Sequence, residues 1–300
     1  MTTIEVGRAE IEISNPDKEL FPGDGITKRG LADYYREVGD VMVPHVAGRP
    51  VHMRRFPNGI EGKRLDQKQV PDYFPDWIGR VRIERRSGGA ITQVTCNDVA
   101  SLVYLAGQAC ITPHTWLSRA GSLEHPDLLV FDLDPSEQGR EALVTAAHGL
   151  RRALEEVELE PAVKSSGSRG FHVVVPLDGS ADFDETRAFA REVAELVARR
   201  HPDQLTTEQR KDRRRGRLFL DTLRNAYGQT VVAPYAVRAR PGAPISAPLV
   251  WDEVDTGFDP QGVIVSNVRR RLEQRGDPWE HLHRRGRSLR AARDRLPRSE

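Results

Sequence analysis

Residues 128–135, Leu-Leu-Val-Phe-Asp-Leu-Asp-Pro, constrain the fold more than any other stretch of this chain. The apolar run reads as a buried strand. Side chains alternate along a strand, so Asp132 and Asp134 leave it from one face. Leu133 points the other way, into a core, and Pro135 stops the strand. Two carboxylates side by side at a strand end suit hard divalent cations such as Mg²⁺ or Mn²⁺. On these eight residues alone, a metal site and an acid-rich turn stand equally open.

Three hundred residues can bury a sizeable core, as one large domain or two packed lobes. With 38% hydrophobic and 30% charged residues, the composition is that of a soluble globular protein. A net charge of +1 conceals uneven placement: residues 210–217 hold six basic groups against one acid, and residues 283–300 hold seven arginines against two acids. Such clusters suit a polyanion, although the C-terminal run reads better as a solvated helix face or a disordered tail. Cys96 and Cys110 lack metal-site spacing and read as buried thiols in a reducing compartment. No apolar stretch approaches the ~20 residues that span a bilayer, and the acidic N-terminus is unlike a secretion signal. A cytoplasmic protein without a membrane partner is expected.

Alternation predicts a hairpin over 3–14 about Gly7, a strand over 50–56, strands over 81–85 and 90–95, and strands over 161–165, 171–175 and 230–237. Apolar spacing predicts helices over 28–43 (capped by Thr27), from Asp98 to Ala109, over 139–157 and over 184–200. Hairpins mixed with helices, rather than strict βα alternation, predict an α+β fold.

Two further segments end in polar groups that complement the aspartates. Leu218-Phe219-Leu220-Asp221 brings a third carboxylate onto an apolar strand behind the basic loop. Lys164-Ser165-Ser166-Gly167-Ser168-Arg169-Gly170-Phe171-His172 reads as a strand, a Gly/Ser turn and a return strand. Such a turn can offer backbone N–H groups to phosphate oxygens, with Arg169 supplying charge. By itself it is an ordinary hairpin connector, and His172 by itself an ordinary core histidine. Three aspartates around two cations suit a two-metal site that activates an attacking oxygen and stabilises a leaving pyrophosphate.

In order, Phe-Asp132-Leu-Asp134-Pro, Ser166-Gly-Ser168-Arg169-Gly-Phe-His172, Leu-Phe-Leu-Asp221-x-x-Arg224-Asn225 and Ala233-Pro-Tyr235-x-x-Arg238-x-Arg240 resemble the polymerase domain of bacterial ligase D, a branch of the archaeo-eukaryotic primase superfamily. Asn15-Pro-Asp-Lys18, Thr27-Lys28, Asp33-Tyr-Tyr35, Gly48-Arg-Pro50 and Gln108-Ala-Cys-Ile-Thr-Pro-His114 extend the likeness over about residues 10–250. The resemblance implies a primase-polymerase core, with a mostly antiparallel central sheet flanked by helices and a second small sheet. It implies one catalytic domain over 1–300, of two packed lobes, with a basic tail at 283–300. No Lys-x-Asp-Gly ligase segment occurs, so a stand-alone polymerase or an excised domain is expected.

The implied activity is template-dependent DNA/RNA synthesis that fills short gaps or extends broken ends in DNA repair, with ribonucleotides preferred. Asp132, Asp134 and Asp221 would hold two ions, Mn²⁺ or Mg²⁺, with Asp221 serving the primer 3′-OH. Ser166 and His114 would meet sugar hydroxyls, and Ser168, Arg169, His172 and Arg238 the triphosphate. Lys18 and Lys28 would hold the 5′-phosphate of gapped or broken DNA, with Arg54 and Arg55 beside them or on the template backbone. Implied partners are NTP or dNTP, Ku and a separate DNA ligase, in a bacterial, nucleoid-associated setting; excision-repair gap filling is the other pathway. The sequence departs from the family pattern in two places. Arg169 stands where Lys is usual, and 63–68 lacks the phenylalanines that stack on template bases. Lys63, Arg64 and Lys68 could grip phosphates there instead. A primase that starts strands de novo is the alternative within the fold. Outside it, Asp132-x-Asp134-x-Ser136 also fits the haloacid-dehalogenase-like phosphatase pattern.

Overall fold

The run that ends in the aspartates forms the strand Leu128–Leu133, third in a six-stranded sheet and antiparallel to both neighbours. This computed structural model describes residues 1–135 and 139–297; Ser136, on which the phosphatase pattern depends, lies outside the described residues. The fold is mixed α+β with predominantly antiparallel sheets, and the chain divides into two compact units. One comprises Met1–Gly121, Thr230–Ser246 and Val263–Asp277; the other comprises Ser122–Gln229, Ala247–Gly262 and Pro278 onward.

The second unit carries the aspartate sheet. Its strands lie in the order Leu205–Thr206, Leu218–Asp221, Leu128–Leu133, Phe171–Pro176, Ala162–Ser165 and Pro248–Leu249. Leu129, Phe131 and Leu133 enter one hydrophobic core with Phe171, Val173 and Val175. The helix Gly139–Glu155 covers this face with a stripe of Leu143, Ala146, Ala147, Leu150 and Leu154. Phe183–Arg200 adds Phe189, Val193 and Val197, and starts at a capping box between Asp182 and Glu185. Alternation then forces Asp132 and His172 onto the opposite face of the sheet. The basic C-terminal run is largely folded: in Leu289–Arg295, Leu289 and Ala292 join the same core. Arg287, Arg290, Arg293 and Arg295 pair with Glu160, Glu185, Glu192 and Glu158. Surface pairs of this kind add little stability, but they neutralise most of the tail; residues 298–300 lie outside the described residues.

The first unit has its own sheet, ordered Val231–Val232, Cys110–Thr115, Pro50–Arg55, Ala90–Thr95 and Gly79–Glu84, with Leu65–Gln67 pairing Pro50–Arg55. Two expectations shift here, and one strand is new. The helix over 28–43 breaks at Val38 into Lys28–Glu37 and Gly39–Val46. Val99 leaves no room for a side chain at Gly39, where an added Cβ would lie 2.5 Å from Val99 Cγ1. The strand over 230–237 shrinks to Val231–Val232, because Pro234 has no N–H and Tyr235 turns the chain at φ 62°. The buried strand Cys110–Thr115 carries no sequence signal of its own, since Pro113 breaks its pattern.

Gly39→Ala is expected to destabilise the protein by about 1–3 kcal/mol through overpacking. Val99→Ala in the same chain should recover most of that loss in a double-mutant cycle read by chemical denaturation.

Candidate active site

Antiparallel pairing sets Asp132 directly opposite His172 on one side and directly opposite Asp221 on the other. Lys164 in turn stands opposite His172. One row across four neighbouring strands therefore reads Lys164, His172, Asp132, Asp221. Like charges directly opposite one another destabilise a sheet, so the two carboxylates call for a counter-charge. Asp132 finds part of it within the protein. His172 Nε2 lies 3.2 Å from its Oδ1, and Arg224 Nε lies 3.7 Å from its Oδ2.

The two carboxyls consequently part company. Burial alone would raise Asp132, but the charge and hydrogen bond of His172, with Arg224 and Lys164 behind, hold it down to about 2. Asp221 moves the other way: burial raises it, a hydrogen bond from Leu223 N (2.7 Å) opposes that, and Asp132 raises it further. A facing carboxylate pair is expected to split in this way. Asp134 lies just past the strand end and is exposed. Among the described residues, no three His, Cys, Asp or Glu side chains are gathered closely enough to hold a metal ion as they stand. Thus Asp132 and Asp221 are brought together, and Asp134 sits at their rim. The donors are all carboxylate oxygens, and their mutual repulsion is what a hard cation relieves, so the residues fit a divalent ion.

Asn225 fixes this register, a role sequence reasoning did not assign. Leu218–Asp221 pairs with Leu128–Leu133 only at Leu220/Leu133 and Asp221/Asp132. Beyond those pairs the fully buried Asn225 side chain takes over the ladder. Its Oδ1 accepts from Val130 N (2.8 Å), and its Nδ2 donates to Val130 O (2.7 Å) and Thr222 O (3.0 Å). The amide thus acts as a substitute strand, anchoring the residues that follow Asp221.

The Gly/Ser turn is pressed against the same strand end. A Cβ on Gly170 would lie 1.7 Å from Leu133 O, so only glycine fits. Ser166 Oγ accepts from Ser168 N and Gly170 N (3.2 Å each). Two N–H groups expected to face phosphate are therefore engaged inside the turn. Ser166, Ser168 and His172 are buried, and Arg169 is exposed.

The first unit holds two separate groups of cations. Arg54 and Arg55 face different ways along Pro50–Arg55, and a bulge lies between them. Arg55 donates through Nε to Gln108 O (2.8 Å) and through Nη1 to Gln67 Oε1 (2.7 Å). Near it, the buried Lys28 ammonium is lowered first by burial, then by Lys18 and Arg55. Lys18 Nζ reaches Asn58 Oδ1 at 2.8 Å. Lys28 thus carries its charge beside two like charges, those of Lys18 and Arg55. Arg54 instead lines a cavity of about 370 Å³ with Arg64, Arg238 and Arg240, where Glu61 is the acid. Asp66 gathers Arg64 (2.8 Å), His52 (3.1 Å) and Arg54 (3.6 Å). His114 is buried opposite His52, with ring centroids 6.2 Å apart. Lys63 and Lys68 are exposed and do not line the cavity.

A sequence profile described as the LigD primase-polymerase domain matches residues 27–279. The chain belongs to the LigD primase-polymerase domain family. It is 35% identical over 272 residues to the multifunctional non-homologous end joining protein LigD of Mycolicibacterium smegmatis, covering 89% of this chain and 35% of that protein. It is 30% identical over 277 residues to the bifunctional non-homologous end joining protein LigD of Bacillus subtilis, covering 92% of this chain and 44% of that one. The chain therefore spans well under half the length of these relatives. The polymerase domain of Mycobacterium tuberculosis ligase D, solved in complex with DNA, superposes with a TM-score of 0.86 at 31% identity, over 92% of this chain and 99% of that one. A LigD primase-polymerase domain is a nucleotidyltransferase, which a facing carboxylate pair suits and a phosphatase reading does not.

On acidifying the metal-free protein, Asp221 is expected to take its proton first, above the ordinary 3.8, and Asp132 only near pH 2. Carboxyl-detected NMR would show the order. Ionised Asp132 contributes stability that is present above its unfolded value and lost as pH falls toward 2, whereas ionised Asp221 opposes folding above its raised value. Asp221→Asn should therefore raise the thermal midpoint at pH 7 without divalent cations, and Asp132→Asn should lower it.

Proposed function

We propose that this chain is a template-dependent DNA/RNA polymerase that fills short gaps or extends broken DNA ends in repair by non-homologous end joining. The observation that carries the reading is the facing Asp132–Asp221 pair, with the Gly/Ser turn packed onto the same strand end, in a chain of the LigD primase-polymerase family. Asp132 and Asp221, with Asp134 at the rim, would hold two divalent ions, Mn²⁺ or Mg²⁺. When bound, such ions neutralise charge on the attacking hydroxyl and the leaving pyrophosphate. His172 and Arg224 keep Asp132 ionised and oriented, and Leu223 N fixes one oxygen of Asp221.

Ser168, Arg169 and His172 are proposed to meet the triphosphate, and Ser166 a sugar hydroxyl. In the first unit, Arg238 with Arg54, Arg64 and Arg240 is proposed to bind phosphate oxygens, for which planar guanidinium forks are suited. His114 is assigned to a sugar hydroxyl. Lys18, Lys28 and Arg55 are assigned to a DNA 5′-phosphate, which their clustering supports. A preference for ribonucleotides goes with this assignment, because a site that bonds the 2′-OH discriminates against an analogue lacking it. Ku and a separate DNA ligase are the proposed protein partners, in the bacterial cytoplasm; no helix among the described residues is long and apolar enough to cross a membrane.

Primer extension on a gapped duplex, with and without a 5′-phosphate, NTP against dNTP and Mn²⁺ against Mg²⁺, tests this reading. Extension should be stimulated by the 5′-phosphate, and Lys28→Ala should remove the stimulation. Asp221→Asn should abolish extension while leaving DNA binding intact. Unchanged extension in Asp221→Asn would overturn the assignment.

A further inference from the structure

Tyr73 is the most exposed aromatic side chain in the molecule's described residues, at 62%, yet it is not loose. Its ring meets Phe74 edge-on, with centroids 5.2 Å apart, and Phe74 in turn packs edge-on against Tyr104 at 5.0 Å. Its hydroxyl accepts a hydrogen bond from Arg55 Nη1 at 3.0 Å. The same guanidinium is tied to Gln108 O and to Gln67 Oε1, so the tyrosine tip is held from two further segments. The result is a braced aromatic ring standing in solvent. A fixed ring loses little freedom when something flat lies on it, and the chain bears the exposure of its apolar surface until then.

The chemistry beside the ring says what that flat group is. Arg55 is the cation that Tyr73 touches, and Lys28 feels the charge of Arg55 on one side and of Lys18 on the other. Cations that follow a phosphate, next to an aromatic face, are the two halves of a single-strand nucleic-acid site: charge holds the backbone and the ring stacks on the base. Stacking of this kind is indifferent to which base is present, as an enzyme acting on arbitrary ends requires. Gln67 and Tyr73 converge on one arginine, so the ring stands beside the segment 63–68, which has no aromatic residue of its own.

We propose that Tyr73 stacks on the base of the DNA nucleotide whose 5′-phosphate is held by Lys18, Lys28 and Arg55. The inference rests on the end-binding reading above and adds a base-binding residue to it. Trp77, 48% exposed, is likewise braced, edge-on against Tyr104 at 5.5 Å, but it is Tyr73 whose tip is bonded to Arg55.

The full chain and a gapped duplex with 2-aminopurine at the 5′-phosphorylated terminal nucleotide provide the test. Wild type should quench the fluorescent base, and Tyr73→Phe, which keeps the ring but loses the bond from Arg55, should quench it too. Tyr73→Ala should abolish quenching and weaken binding about 5- to 150-fold. With an abasic terminal nucleotide, wild type and Tyr73→Ala should bind alike, which a merely structural role would not produce. Suppose 5′-phosphate discrimination is present in wild type and lost in Lys28→Ala, while Tyr73→Ala matches wild type in quenching and affinity. The stacking inference then fails and the end-binding reading stands. If wild type shows no discrimination for the 5′-phosphate, both fail.

Discussion

Asp132 and Asp221 face each other across paired strands, and this repulsion organises much of the second unit. Left alone, two carboxylates in that position would push the strands apart or take up a proton. Asn225 blocks the first escape by lending its side-chain amide to Val130 as a third strand partner. His172, Arg224 and Lys164 block the second for Asp132 alone. Asp221 is left as the carboxyl that burial and its neighbour both disfavour in the charged state. The sheet therefore holds a disfavoured carboxylate at the end where Gly170 brings the Gly/Ser turn into backbone contact. A site of this kind gives up stability for function.

The first unit treats positive charge in the same spirit. Arg54 and Arg55 are adjacent in sequence but have different surroundings, as side-chain alternation along a strand requires. Arg55 joins Lys18 and Lys28, with no acid among the groups that shift Lys28. Arg54 joins Arg64, Arg238 and Arg240 around one cavity, with Asp66 and Glu61 tempering the charge. Arg54 and Arg55, read together from sequence, thus belong to two groups of cations of different character. One group holds two ammonium groups and a guanidinium, the other only guanidinium forks.

Much of this was legible in the residues. The apolar run correctly placed Leu128–Leu133, period-two alternation the core-facing Leu133, and apolar spacing the helices Gly139–Glu155 and Phe183–Arg200. What stayed hidden was non-local. The register that sets Asp221 against Asp132 depends on Asn225 reaching Val130, a contact that no local pattern encodes. The close approach of Val99 that keeps residue 39 a glycine is equally non-local, and the strand Cys110–Thr115 was masked by Pro113. The C-terminal arginines suggested a polyanion partner or a solvated tail because their acidic partners lie on elements distant in sequence. Tyr73 gave no signal at all until Arg55 was seen to hold it.

The account turns on whether the facing pair is built for a divalent cation. Mn²⁺ binding followed by electron paramagnetic resonance at neutral pH, on wild type, Asp132→Asn and Asp221→Asn, measures this without requiring DNA, nucleotide or turnover. Saturable binding in wild type that is lost in either variant is the predicted result. Equal Mn²⁺ binding in all three proteins would contradict it.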